Sequence, residues 1–302
     1  MTDLGVVILN WNTRDLLARC LETVLASEGD FTMRVIVVDN ASGDDSAGMV
    51  RQRFPAVEVI ESPINGGFSA GNNLGLRALG FYGPGQADAG APRYVLLLNP
   101  DTEVPPGALC AMVRMMDARP EVGAAGPKLV LADGSLDLAC RRSFPTPEVS
   151  FYRFSGLAKL FPDSPRFGRY NMTFVDPDQE IEVDSVVGAY MQVRREAVAA
   201  AGLLDETFFM YGEDLDWAYR IKQAGWTVFY YPTVTVKHVK RAASRRSRKA
   251  QFEFQRAMLI FYRKHYQATT PLWLHGLVLL GLLLKGGPAL WPELRSPLPT
   301  SA

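Results

Sequence analysis

The chain has 302 residues, enough for one large domain or two modest ones, and its 32 basic residues balance its 32 acidic ones. Neutrality excludes general nucleic-acid binding, yet the charge is uneven: residues 237–264 carry a net +9 and residues 1–236 a net −10. A basic block near one end of a neutral chain points to a local anionic partner.

Leu4 to Leu9 reads as a strand that begins without a secretory signal, and Asn12 as the N-cap of an amphipathic helix over about Thr13 to Ser27. Met33 to Val38 is a second strand, running into Asp39-Asn40. Asp44 to Phe54 reads as a helix and Val57 to Glu61 as a third strand. The Gly/Asn-rich segment Asn65 to Asn73 reads as a turn leading into a helix near Asn72 to Leu79. It serves equally well as a phosphate cradle or as a plain turn. Residues 81–92 read as a surface loop. Tyr94 to Leu98 is a buried strand that must stop at Asn99-Pro100-Asp101, because proline has no N–H for a sheet ladder. Two buried strands therefore each deliver a carboxylate, Asp39 and Asp101, to one sheet edge, which is where open α/β sheets bind ligands. Alternating strands and helices imply βαβ units and a largely parallel sheet. Asn10-Trp11-Asn12 stands where a dinucleotide fold would need glycines, which argues against a dehydrogenase.

The second half is less regular. Pro105 to Ala118 reads as a helix, Ala124 to Val130 and Ser135 to Arg141 as short strands, and Phe144 to Asp178 as a long loop region with short helices. Glu182 to Val193 reads as a strand interrupted at Gly188, and Glu213 to Gln223 as a helix closed by Gly225. Thr227 to Tyr231 and Val234 to Lys237 are strands around Pro232, followed by a helix over Gln251 to Tyr266. Three widely spaced cysteines, Cys20, Cys110 and Cys140, suit small core residues in a reducing compartment.

Glu213, Asp214 and Asp216 open a helix, where its dipole favours acids, so helix stabilisation accounts for them as well as function does. Asp216 and Arg220 are spaced for a surface ion pair. Asp214 shares a face with Trp217 and Ile221, which suits a general base between core and site edge. Glu213 shares a face with Asp216 and suits orientation. His238 ends a strand and reads either as a satisfied polar residue or as a metal ligand favouring Mn²⁺ over Mg²⁺.

Taken in order, Val7-Ile8-Leu9-Asn10-Trp11-Asn12, Val37-Val38-Asp39-Asn40-Ala41-Ser42, Asn65 to Asn73, Leu97-Leu98-Asn99-Pro100-Asp101 and Gly212-Glu213-Asp214-Leu215-Asp216 closely resemble the inverting family 2 glycosyltransferases of the rhamnosyltransferase-like branch. The resemblance covers about residues 4–265. It implies an α/β GT-A fold, a Rossmann-like, mostly parallel mixed sheet flanked by helices. It further implies a nucleotide-diphosphate sugar donor, with Asp39 at the nucleoside and Asn10, Asn40, Asn65, Asn73 and Asn99 as further donor contacts. Asp101 takes the metal position of an Asp-x-Asp motif, whose first aspartate is Asn99 here. Asp214 is the implied base, and His238 completes the site of a divalent metal, Mn²⁺ or Mg²⁺. The implied reaction is transfer of rhamnose from dTDP-rhamnose, or of a sugar from a UDP-sugar, to a glycan or lipid-linked acceptor in bacterial envelope polysaccharide synthesis. A sugar nucleotidyltransferase and a non-catalytic nucleotide-sugar binding module are the rival classes.

The chain divides into a catalytic domain over 1–240, with a donor half of about 1–103 and an acceptor half of about 104–240, and a segment 241–302 of basic and apolar helices. Leu272 to Leu284 is almost wholly apolar but would span only about 20 Å of a roughly 30 Å hydrocarbon core. It reads as an interfacial helix on an anionic membrane surface, placing the protein in the cytoplasm at the inner face of the cell membrane, or as a core helix capping the domain.

Overall fold

A computed structural model describes residues 2–239 and 248–296. Part of the basic block, residues 240–247, lies outside the described residues. The strands are β1 (Leu4–Asn10), β2 (Met33–Asp39), β3 (Glu58–Glu61), β4 (Phe81–Gly83), β5 (Gln86–Ala87), β6 (Tyr94–Leu98), β7 (Thr102–Glu103), β8 (Val122–Val130), β9 (Ile181–Val183), β10 (Tyr190–Arg194) and β11 (Thr227–His238). The helices are α1 (Arg14–Leu25), α2 (Ser46–Arg53), α3 (Gly67–Ala78), α4 (Ala108–Ala118), α5 (Pro147–Phe154), α6 (Leu157–Leu160), α7 (Arg195–Ala201), α8 (Glu213–Gln223), α9 (Arg248–His265), α10 (Leu272–Gly286) and α11 (Trp291–Arg295).

Nine strands form one sheet in the order β3-β2-β1-β6-β10-β8-β11-β7, with β9 also on β11. The first four run parallel, as the continuous apolar runs of a doubly covered sheet require. β10 enters antiparallel between β6 and β8. The sheet is thus mixed and mostly parallel, with helices packed on it through residues such as Leu17, Leu21, Leu76, Met112 and Trp217.

Several boundaries differ from the sequence reading. The glycines of 65–73 are not a turn: α3 starts at Gly67. A Cβ at Gly71 would collide with Leu9, and one at Gly75 with Val7, so these glycines let the helix lie close on β1. Thr13, not Asn12, is the N-cap of α1. Residues 135–141 make one bridge, Val130 to Leu136, and a 3₁₀ turn at Leu138–Cys140 instead of a strand. Residues 182–193 split into β9 and β10, whereas β11 continues through Pro232 with a register shift between Tyr231 and Thr235.

α9 lies on the α8 side of the domain, where Phe208, Leu215, Ala257, Ile260 and Phe261 form a small second core. α10 has no buried residue, and Leu272, Trp273, Leu277, Leu280 and Leu284 all face outward. No helix among the described residues is long and apolar enough to cross a membrane.

Candidate active site

The sheet topology gathers the chemistry at one edge. β1 and β2 end in register, Asn10 opposite Asp39. Asn10 Nδ2 donates to Asp39 Oδ1 at 2.9 Å, and the Ser42 amide donates to Asp39 Oδ2 at 2.9 Å. Both residues are buried, so these bonds offset the desolvation of the carboxylate. Asn40 Nδ2 donates to Asn65 Oδ1 at 3.0 Å and to the Gly67 carbonyl, while the Gly66 amide donates back to Asn40 Oδ1. Asn10, Asp39, Asn40 and Asn65 thus form one hydrogen-bonded wall. Asn73 lies elsewhere: its amide is taken up by Leu204 and Glu206, and it anchors that loop to α3.

Asp101 and His238 meet through the backbone. Thr102 pairs with His238 in the β7–β11 ladder, and the Val239 amide donates to the Asp101 carbonyl. His238 Nε2 stands 3.2 Å from Asp101 Oδ1, and its Nδ1 stands 3.0 Å from Asp137 Oδ2. A carboxylate behind a histidine fixes the ring and its tautomer, the arrangement that usually supports a histidine metal ligand. Asp101 Oδ1 is buried and accepts no hydrogen bond, although His238 Nε2 stands 3.2 Å away, so a cation held by both groups would satisfy it. The described residues contain no cluster of three His, Cys, Asp or Glu suited to a metal. Two protein ligands fit an ion whose remaining positions are filled by diphosphate oxygens and water.

The acidic helix start is tightly determined. Tyr211 and Gly212 both adopt left-handed backbone, φ 70° and 79°. For Tyr211 this costs about 1 kcal/mol or more, a strain that concentrates at functional sites. The turn points Asp214 into the domain, where its Oδ2 accepts from Arg142 Nη2 at 2.7 Å and from the Gly188 amide at 2.9 Å. The interruption at Gly188 frees that N–H from the sheet. Arg142 is itself buried. Burial opposes its charge, but the Asp214 carboxylate and Tyr170 together offset this and raise the guanidinium above its usual range. Glu213 is also buried, with Oε2 unpartnered. Desolvation first, and the Asp214 charge second, push its carboxyl up to about 8. Both causes favour the protonated form of Glu213.

Asp216 departs from the sequence reading. It is 0% exposed, not part of a surface pair. Burial raises its pKa, but His265 at 2.7 Å, Arg220 at 2.8 Å and Lys264 at 2.9 Å outweigh this and hold it well below the usual carboxylate range. It ties α8 to α9.

One cleft of about 700 Å³ is lined by Asn99, Asp101 and His238 together with Arg142, Glu213 and Asp214, with α9 and α10 contributing Phe254, Met258 and Lys285. Sequence reasoning missed Asp137 and Arg142. Each lies in irregular chain and meets its partner only through the tertiary fold, so no local spacing signals it.

A profile described as glycosyltransferase-like family 2 matches residues 2–254. An N-acetylglucosaminyl-diphospho-decaprenol L-rhamnosyltransferase of Mycobacterium tuberculosis is 31% identical over 245 residues, covering 80% of this chain and 77% of that one. The low-salt glycan biosynthesis hexosyltransferase Agl10 of Haloferax volcanii is 25% identical over 225 residues, 74% of this chain and 62% of that one. Among solved structures, GalNAc-T7 with UDP, GalNAc and Mn²⁺ superposes with a TM-score of 0.59 at 15% identity, covering 99% of this chain and 59% of that one. The mannosyltransferase PcManGT from Pyrobaculum calidifontis, in complex with GDP-Man and Mn²⁺, gives 0.57 at 16% identity, with 99% and 79% covered.

Proposed function

The chain belongs to glycosyltransferase family 2 and has the GT-A fold, and from that premise we propose that it moves rhamnose from dTDP-rhamnose, with inversion, onto a lipid-linked glycan acceptor of envelope polysaccharide synthesis. The observation that carries this reading is that the Asp101–His238 pair and the Glu213–Asp214 helix start line the same cleft. A donor diphosphate at the pair and an acceptor hydroxyl at the helix start would place the anomeric carbon between them. The lipid-linked acceptor rests on the relative's name, which specifies a diphospho-decaprenol substrate.

In this reading Asn10, Asp39, Asn40 and Asn65 bind the nucleoside and ribose, with Asn99 beside the diphosphate. Asp39 has a lone pair left on each oxygen after its two hydrogen bonds, enough to accept from a base or a ribose hydroxyl. Asp101 and His238 would hold a divalent ion, Mn²⁺ or Mg²⁺, and such an ion would neutralise the charge that grows on the departing diphosphate. Both solved relatives above contain Mn²⁺, which supports a divalent metal in general.

Asp214 would take the proton of the attacking acceptor hydroxyl. The Arg142 guanidinium and the Gly188 amide both donate to its Oδ2 and the Leu215 amide donates to its Oδ1, which fixes the orientation of the carboxylate. Burial and the Asp214 charge both favour the neutral form of Glu213, which limits a second negative charge beside the base. A single displacement from the face opposite the leaving group inverts the anomeric centre.

The same reading assigns the donor half to about residues 1–103, the acceptor half to about 104–240 and membrane contact to the helices of 241–302. It puts the protein in the cytoplasm, peripheral at the inner face of the membrane. The outward Leu272, Trp273, Leu277 and Leu284 support that contact. The test is a thermal-shift panel of dTDP-rhamnose, UDP-sugars and GDP-sugars with and without Mn²⁺. Mn²⁺-dependent stabilisation by dTDP-rhamnose above the others is expected. Equal stabilisation by a UDP-sugar moves the donor assignment, and no stabilisation by any nucleotide sugar refutes the reading.

A further inference from the structure

Two cations at the mouth of the cleft have no role in the chemistry above. Arg153, near the end of α5, and Lys285, near the end of α10, are both exposed, and both line the cleft. Neither forms an ion pair among the described residues, although most other arginines and lysines of the folded domain do. Each instead lies over an aromatic ring. The Arg153 guanidinium is 4.4 Å from the Tyr170 ring centre, and Lys285 Nζ is 5.0 Å from that of Phe154. A ring holds a cation in place without cancelling its charge. Both therefore keep their attraction for an anion while losing some of the freedom that binding would otherwise remove.

Beside these cations runs an apolar strip. On α10, Leu277, Leu280 and Leu284 are 57%, 52% and 70% exposed and fall on one helix face. On α5, Phe151 and Phe154 are 58% and 46% exposed. The two helices touch where Gly281 faces the Phe154 ring. The strip is thus shared by two segments of chain more than a hundred residues apart, and it starts at the cleft mouth, where the cations are.

We infer that Arg153 and Lys285 form a subsite for the diphosphate of a lipid-linked acceptor, with the lipid chain leaving along the α5–α10 strip. This rests on the glycosyltransferase reading but concerns the acceptor end alone. The donor diphosphate belongs, in that reading, with Asp101 and His238. A soluble glycan would need neither two unneutralised cations nor an exposed apolar track, whereas a diphosphate joined to a hydrocarbon needs both, in this order.

Farnesyl diphosphate is the probe, titrated calorimetrically against the full chain in EDTA so that no metal-dependent diphosphate binding contributes. Inorganic pyrophosphate, farnesol and short-chain phosphatidylglycerol are the controls. The parent is expected to bind farnesyl diphosphate more tightly than any control. Arg153→Ala and Lys285→Ala should each weaken it about fivefold, and the double variant about 30-fold. Binding of dTDP with Mn²⁺ should stay within twofold of the parent in all three variants. Both side chains are exposed, so the variants should fold, which circular dichroism checks. Unchanged farnesyl diphosphate binding in the double variant, or no binding by the parent, overturns the subsite. Phosphatidylglycerol binding as well as farnesyl diphosphate also overturns it, since the cations would then serve lipid headgroups at large. Parallel loss of dTDP binding overturns it too, by assigning the cations to the donor. Failure of dTDP to bind the parent counts against the donor reading and leaves the farnesyl diphosphate result to stand separately.

Discussion

Asp214→Asn should do two separable things. The carboxylate is the counter-charge of a buried guanidinium, with side-chain exposures of 8% and 9% at 2.7 Å. Removing one member of such a pair leaves the other charged and unpaired, at a cost of about 3–5 kcal/mol. The amide also cannot accept a proton, and loss of a general base typically lowers turnover by on the order of 10²–10⁴-fold. A single variant confounds the two effects, so the informative set adds Arg142→Gln and the double variant. Urea denaturation should show Asp214→Asn destabilised by a few kcal/mol and the double variant recovering most of that, since no unpaired charge remains. Sugar transfer, followed with a radiolabelled donor, should stay down in both. Turnover in Asp214→Asn within tenfold of the parent at a temperature where it is folded would refute the assignment. Collapse in Glu213→Gln alongside it would move the base one residue along.

Asp101→Ala should abolish the Mn²⁺-dependent part of nucleotide-diphosphate binding in calorimetry while leaving the metal-free part, and His238→Ala should do the same more weakly; equal metal enhancement in variant and parent would falsify the ligand assignment. Glu213 has a folded pKa of about 8 against an ordinary 4.5, so the folded chain holds a proton there that the unfolded chain releases. Its contribution to stability is intact below about pH 4.5 and fades as pH rises towards 8, by at most about 1.4 kcal/mol per pH unit. Glu213→Gln should therefore gain stability relative to the parent between pH 5 and 8, read as melting temperature; parallel curves would show that the carboxyl is not perturbed. Leu277→Asp with Leu284→Asp should reduce flotation with anionic vesicles without changing far-ultraviolet circular dichroism, because both residues face outward. Flotation equal to the parent would put membrane contact elsewhere.

The sheet was the most legible part of the chain. Runs such as Val35–Val38 and Tyr94–Leu98 are too apolar for anything but doubly covered strands, and Pro100 fixes the stop that leaves Asp101 at the edge. The segment 65–73 was misread because glycine reports either a tight backbone or a close neighbour, and sequence does not distinguish them. Here Leu9 and Val7 are the neighbours, on a strand that precedes the helix by some sixty residues. Asp216 was misread for a related reason: its spacing to Arg220 is real, but burial is decided by α9 lying over it, and Lys264 and His265 come from 48 and 49 residues further on. Arg142 gave no signal, because its meaning lies in a partner 72 residues away. Local pattern thus announces what the backbone does and stays silent on which distant charge neutralises which.

The short ladder between β7 and β11 has a consequence for how the enzyme comes into being. Glu103 and Lys237 are 134 residues apart in sequence, and Asp101 meets His238 only when that ladder closes. β11 also lies parallel on β8 and pairs with β9, so its last residues reach β7 as part of a larger set of long-range pairings. Contacts of such long separation form late. A nascent chain can complete the Asn10–Asp39 wall while its second half is still being synthesised, but it cannot yet bring Asp101 and His238 together. During translation, then, the residues proposed above to bind the nucleoside can come together before Asp101 and His238 can meet, so under those proposed roles a half-made copy would not discharge the donor.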